Sequence, residues 1–128
     1  MSKWVLDASA LLALLNRERG DELVGKAIAD GAAISTVNFS EVVTKLSDFG
    51  VPEEAMRLSL NSLGIEIVDF DIALAYRTGL LRTSTKSAGL SLGDRACLAL
   101  AQSLNIPALT ADKAWNSVSL DVSIQVIR

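Results

Sequence analysis

Trp4-Val5-Leu6-Asp7-Ala8-Ser9-Ala10-Leu11-Leu12-Ala13-Leu14-Leu15-Asn16 is the stretch on which the reading of this chain turns. Trp4-Val5-Leu6 is a short apolar run that, with Asp7, predicts a buried strand at 4–7. The following residues predict a helix over 8–16, apolar around most of its circumference. A carboxylate therefore stands where a strand ends and a helix begins. Working outward, the same unit repeats. After a polar break at 17–20 a helix is expected at 21–30, and a second short strand at 32–35. Helices at 38–49 and 52–63 follow, the first closed by Gly50 and the second opened by Pro52, whose missing N–H costs nothing there. A strand at 65–70 leads into a helix at 71–81 with Asp71 as its N-cap. A polar loop at 83–89, a helix at 91–104, and strands at 108–110 and 124–127 complete the chain.

Strands this short and this apolar, alternating with helices, indicate a parallel sheet covered on both faces. The expected fold class is α/β, a three-layer α/β/α arrangement with a short-stranded, mainly parallel sheet. No repeat, low-complexity tract or linker interrupts it, so residues 1–128 are read as one domain. In such a sheet the strand C-termini and the N-termini of the following helices share one edge, where open α/β sheets bind their ligands.

Composition narrows the chemistry. The chain has no histidine and one cysteine, Cys97, which excludes histidine-based nucleophile systems and any disulfide framework, and argues against zinc. No apolar run reaches the ~18 residues of a membrane span, and Met1-Ser2-Lys3-Trp4 lacks the design of a signal peptide, so a cytoplasmic location is expected. The net charge of −3 is unevenly spread: residues 1–72 hold 6 basic and 12 acidic side chains, residues 73–128 hold 6 and 3. An anionic partner would be sought on the second half.

Four carboxylates stand at positions that the parallel sheet brings to one edge. Asp7 ends the first strand, Glu41 is in the first turn after the second, Asp94 is in the first turn of the 91–104 helix, and Asp112 follows the fourth strand. Taken singly, each has a local reading as a cap. Asn38-x-x-Glu41 and Ser91-x-x-Asp94 both have the form of capping boxes, and Asp7 and Asp112 suit N-caps. Convergence adds a second reading. Two carboxylates about 4 Å apart repel by about 4 kcal/mol at an effective dielectric near 20, so four in one cleft call for a cation. Oxygen-only ligands suit Mg²⁺ or Mn²⁺. A carboxylate-held ion can acidify a water and neutralise charge on a phosphodiester. Ser9, Asn38 and Thr110 are neighbours able to hold a water or a phosphate.

At these residues the chain resembles PIN-domain ribonucleases, specifically the VapC-type toxins of toxin–antitoxin pairs. The matching segments are Val5-Leu6-Asp7-Ala8-Ser9-Ala10, Ile34-Ser35-Thr36-Val37-Asn38-Phe39-Ser40-Glu41-Val42, Leu90-Ser91-Leu92-Gly93-Asp94-Arg95-Ala96-Cys97-Leu98-Ala99 and Leu109-Thr110-Ala111-Asp112-Lys113-Ala114-Trp115. They span essentially the whole chain. The resemblance implies an Mg²⁺- or Mn²⁺-dependent endoribonuclease acting on tRNA or rRNA, with Asp7, Glu41, Asp94 and Asp112 as metal ligands and catalytic residues. It also implies a cognate antitoxin, whose tail places a basic side chain in the acidic site, and a homodimer. Some relatives carry a further acid where this chain has Asn116, an amide and a weaker ligand.

Arg82, Lys86, Arg95 and Lys113, from the net-positive half, are the expected RNA-backbone contacts. With the quartet assigned to metal, the remaining charge is +1, which removes the objection from net acidity. Cys97 reads as core, Trp4, Trp115 and Phe39 as core or dimer contacts, and the surplus of leucines in 10–15 as a surface for an antitoxin helix or a second protomer. The rival reading is a phosphoacceptor receiver domain, in which Asp69 or Asp71 would accept the phosphoryl group and Thr110-Ala111 would act as a switch.

Overall fold

The computed structural model describes residues 1–128. Five strands form one sheet: β1 (Trp4–Leu6), β2 (Ala32–Ser35), β3 (Glu66–Val68), β4 (Ala108–Thr110) and β5 (Ile124–Val126). Their order is β3-β2-β1-β4-β5 and every pairing is parallel. The helices are α1 (Ala8–Leu15), α2 (Asp21–Asp30), α3 (Thr36–Asp48), α4 (Glu53–Asn61), α5 (Ile72–Leu80), α6 (Arg82–Thr85) and α7 (Leu92–Leu104), with a 3₁₀ turn at Lys113–Ser117. The three-layer α/β/α reading holds.

The three central strands are buried along their full length apart from Trp4, the signature of a sheet covered on both faces. One core cluster gathers Val5, Leu98, Leu100 and Trp115 beneath α7 and α5. Two others form beneath α1, α2, α3 and α4, around Leu6, Val24 and Leu109 and around Leu11, Ile34 and Val42. Trp115 and Cys97 are fully buried, as expected of core residues.

Strand order settles the rival reading. β3 lies at the sheet edge, with β2 between it and β1. Receiver domains use the order 2-1-3-4-5, which sets the third strand beside the first. Asp71 here N-caps α5, its carboxylate accepting from the Leu74 amide at 2.9 Å. The receiver reading is therefore set aside.

Several local expectations change. The helix placed at 38–49 begins at Thr36, because Ser35 caps it by accepting from the Val37 amide at 3.2 Å. Asn38 is consequently inside the helix and buried, not its cap. The expected loop at 83–89 opens with the short helix α6, stabilised by the Thr85 hydroxyl donating to the Leu81 carbonyl at 2.8 Å. The leucines of α1 are not surplus. Leu12, Leu14 and Leu15 pack against the cluster around Leu11 and Val42. The exposed apolar surface lies instead on α5, where Ile72, Tyr76 and Leu80 are each more than two thirds exposed.

Candidate active site

The chain turns left from β1 to β2 and β3, and right to β4 and β5, so β1 and β4 flank the point where strand order reverses. Crevices form at such switch points, outside the strand C-termini. Asp7 leaves β1 there, and Thr110, Ala111 and Asp112 leave β4. α3 and α7 deliver Glu41 and Asp94 to the same edge. The result is one cavity of about 230 Å³ lined by Asp7, Ala8, Ser9, Leu12, Glu41, Lys45, Asp94 and Asp112. All four predicted carboxylates line it.

Asp7 is the buried member, 4% exposed. Its Oδ1 accepts from the Ala10 amide at 2.8 Å, which caps α1. Two hydroxyls complete its shell: Thr110 Oγ1 donates to Oδ2 at 2.6 Å, and Ser9 Oγ to Oδ1 at 2.8 Å. Each hydroxyl is aimed by a backbone amide from the end of β4. The Asp112 N–H donates to Thr110 Oγ1 at 3.1 Å, and the Ala111 N–H to Ser9 Oγ at 2.9 Å. Burial nonetheless dominates and raises the Asp7 pKa from 3.8 to about 6. The three donors oppose that rise, and Asp94 adds to it.

The other three acids are held by one oxygen each. Glu41 Oε1 accepts from Asn38 Nδ2 at 2.8 Å, and the same amide donates to the Gly93 carbonyl at 2.9 Å. Asn38 thus ties α3 to the first turn of α7. Asp94 Oδ2 accepts from the Ser91 amide at 2.9 Å while Ser91 Oγ accepts from the Asp94 amide, a true capping box. Asp112 Oδ1 accepts from the Ala114 amide at 2.9 Å, capping the 3₁₀ turn. Asp7, Asp94 and Asp112 each cap with one oxygen and also line the cavity; Glu41 lines it too but caps nothing, its oxygen accepting from the Asn38 side chain. Glu41 Oε2, Asp94 Oδ1 and Asp112 Oδ2 accept no hydrogen bond.

No three acidic side chains stand close enough to form a ready-made ligand cluster. The donor set itself fits a hard divalent cation: carboxylates and hydroxyls only, no sulfur or imidazole. A buried, partly desolvated Asp7 facing Asp94 is the electrostatic circumstance that a cation would relieve.

Two residues of this site were not legible as such in the sequence. Gly93 is buried under Glu41; a Cβ there would lie 2.6 Å from Glu41 Cδ and Oε1. Lys45, one turn beyond Glu41 on α3, lines the cavity. Its i,i+4 spacing from Glu41 was the available signal.

Of the expected RNA contacts, Arg82, Lys86 and Lys113 are exposed, as is Asn116, and none lines the acidic cavity. Arg95 points elsewhere. Its Nη1 donates to the Thr78 carbonyl in the last turn of α5 at 3.1 Å, and its Nε is buried without a partner. It joins α5 to α7 at a helix C-terminus, where a cation is favoured. Cys97 lies beneath the site; burial pushes its thiol well up, and Asp7, Asp94 and Glu41 push the same way.

A family comparison matches residues 4–120 to the PIN domain. Among solved structures, the chain is similar to one from a toxin–antitoxin complex of Klebsiella pneumoniae, with 21% identity, TM-score 0.76 and 97% of each chain covered. It is similar to a chain of DNA-bound VapBC from Salmonella typhimurium, with 17% identity, TM-score 0.77 and 100% of each chain covered. VapC20 of Mycobacterium tuberculosis, a sarcin–ricin-loop-cleaving toxin, aligns at 16% identity and TM-score 0.71, covering 94% of this chain and 98% of that one. A sequence comparison with curated proteins found no match. No helix is long and apolar enough to cross a membrane.

Proposed function

Because this chain belongs to the PIN domain family, we propose that it is a divalent-metal-dependent endoribonuclease, the toxin of a toxin–antitoxin pair. The observation that carries the reading is the arrival of Asp7, Glu41, Asp94 and Asp112, from four separate segments, at one cavity beside the switch point of the sheet.

Asp7, Glu41, Asp94 and Asp112 would hold Mg²⁺ or Mn²⁺. When bound, such an ion supplies an acidified water and neutralises charge on the phosphodiester. The protein's part is positional. Thr110 and Ser9 fix the Asp7 carboxylate through bonds that originate in the β4 backbone. Asn38 fixes Glu41 against α7. The oxygens of Glu41, Asp94 and Asp112 that accept no hydrogen bond are the ones available to a cation. Asn116 is exposed outside the cavity and would serve as an outer, amide contact.

RNA as substrate, a tRNA or an rRNA loop, is supported by the family and by the structural likeness to a sarcin–ricin-loop-cleaving toxin. Arg82, Lys86 and Lys113 would contact its backbone; Arg95 would act only by holding α5 against α7. The similar structures from a toxin–antitoxin complex and from DNA-bound VapBC support an antitoxin as partner. The i, i+4, i+8 stripe of Ile72, Tyr76 and Leu80 supports a second copy as another, packed along α5. The site of action would be the cytoplasm.

Incubating purified protein with total cellular RNA tests the reading. Discrete fragments are expected with Mg²⁺ or Mn²⁺, and none with EDTA or in Asp94→Asn. Cleavage that survives EDTA would contradict it.

A further inference from the structure

Lys45 is the only cation among the residues that line the acidic cavity. It is exposed, and its ammonium makes no ion pair; the salt bridges of the chain are Arg57–Glu53 and Arg128–Glu18. It makes no side-chain hydrogen bond that would give it a structural task. Val42 and Leu46, the next residues along α3, are buried, while Glu41 and Lys45, one turn apart, both line the cavity.

We propose that Lys45 is the phosphate-contacting cation of this site and, in the absence of RNA, a tethered rival of the metal. The inference rests on the metal-dependent nuclease reading. An ammonium on a flexible four-carbon stem is a movable point charge. With the cavity empty of substrate, its field lies over four carboxylates and disfavours a second cation among them. With RNA present, the same group meets a non-bridging phosphate oxygen at the cavity, one turn along α3 from Glu41. The carboxylates themselves repel that oxygen, and no other positive side chain lines the cavity.

The two roles give one substitution two effects of opposite sign. In Lys45→Met, which keeps the aliphatic stem, Mn²⁺ affinity measured calorimetrically without RNA should rise about three- to tenfold, as expected for removing a unit charge near a divalent ion. Cleavage of total RNA at saturating Mn²⁺ should fall by at least about tenfold, the loss of one electrostatic contact to the reacting group. Lys45→Arg should restore wild-type Mn²⁺ affinity and most of the cleavage. A purely structural lysine would lower both together.

If wild-type protein binds Mn²⁺ and cleaves RNA but Lys45→Met changes neither, the proposal falls and the nuclease reading stands. If wild-type protein does not bind Mn²⁺ at all, the nuclease reading falls and carries the Lys45 proposal with it.

Discussion

Gly93 and Glu41 occupy space that only a hydrogen at Gly93 permits: a β-carbon there would lie 2.6 Å from Cδ of the Glu41 side chain. The backbone of Gly93 is ordinary helix, so the restriction is steric and not conformational. Glu41 is long and flexible and can swing away. Gly93→Ala should therefore fold normally, and circular dichroism should show wild-type helix content. RNA cleavage should nevertheless drop at least about tenfold, equivalent to about 1.4 kcal/mol of lost transition-state stabilisation. Retained cleavage would show that Glu41 does not need that position.

The raised pKa of Asp7 has a stability consequence in metal-free protein. Its carboxyl sits at about 6 when folded, against 3.8 ordinarily, so the folded state binds more protons between those values. Stability from this group is fully present below pH 3.8 and is lost as pH rises through about 6. The elevation corresponds to on the order of 3 kcal/mol. In EDTA, Asp7→Asn should be more stable than wild type at pH 8, with its advantage shrinking toward pH 4. Thermal melts at the two pH values check this, and an advantage independent of pH would contradict it.

Thr110→Val removes the 2.6 Å donor to Asp7 and leaves the volume almost unchanged. The cost, about 1–3 kcal/mol for a buried charge losing a hydrogen bond, should be larger at pH 8, where Asp7 is ionised, than at pH 4. Urea unfolding at both values would measure it. Equal costs would place the Thr110 hydroxyl outside the Asp7 ionisation.

Cys97 is fully buried in α7 with a raised thiol pKa. It should resist thiol reagents in the native state. Cys97→Ser should destabilise by about 1–3 kcal/mol, the cost of burying an unmet hydroxyl, without altering the metal dependence of cleavage. Loss of metal-dependent turnover in a folded variant would be inconsistent with a packing role.

Leu80 is 77% exposed at the end of the α5 stripe. If a second copy covers that stripe, Leu80→Glu should convert a dimer into a monomer in light-scattering measurements. An unchanged mass would remove α5 from the interface.

The sequence revealed most where local pattern and tertiary position coincide. Asp7, Asp94 and Asp112 each follow a strand or open a helix, so the sheet alone placed them. Asn38 shows the limit. Its spacing to Glu41 looked like a capping box, but Ser35 caps two residues earlier, and Asn38 is drawn inside to bridge Glu41 and Gly93. That bridge depends on α7, 55 residues away in sequence. Arg95 misled for the same reason: its partner, the Thr78 carbonyl, is supplied by packing of α5 on α7 and leaves no local trace. The leucines of α1 looked like a docking surface because helices α2 and α3, which cover them, are invisible from within 8–16.

The central claim is that the four carboxylates form one cation site. Anomalous scattering from crystals grown with Mn²⁺ tests it most directly. The account predicts a strong peak in the cavity lined by Asp7, Glu41, Asp94 and Asp112, absent in Asp94→Asn. Saturating Mn²⁺ with no peak there, in crystals where the cavity is open to solvent, would contradict it.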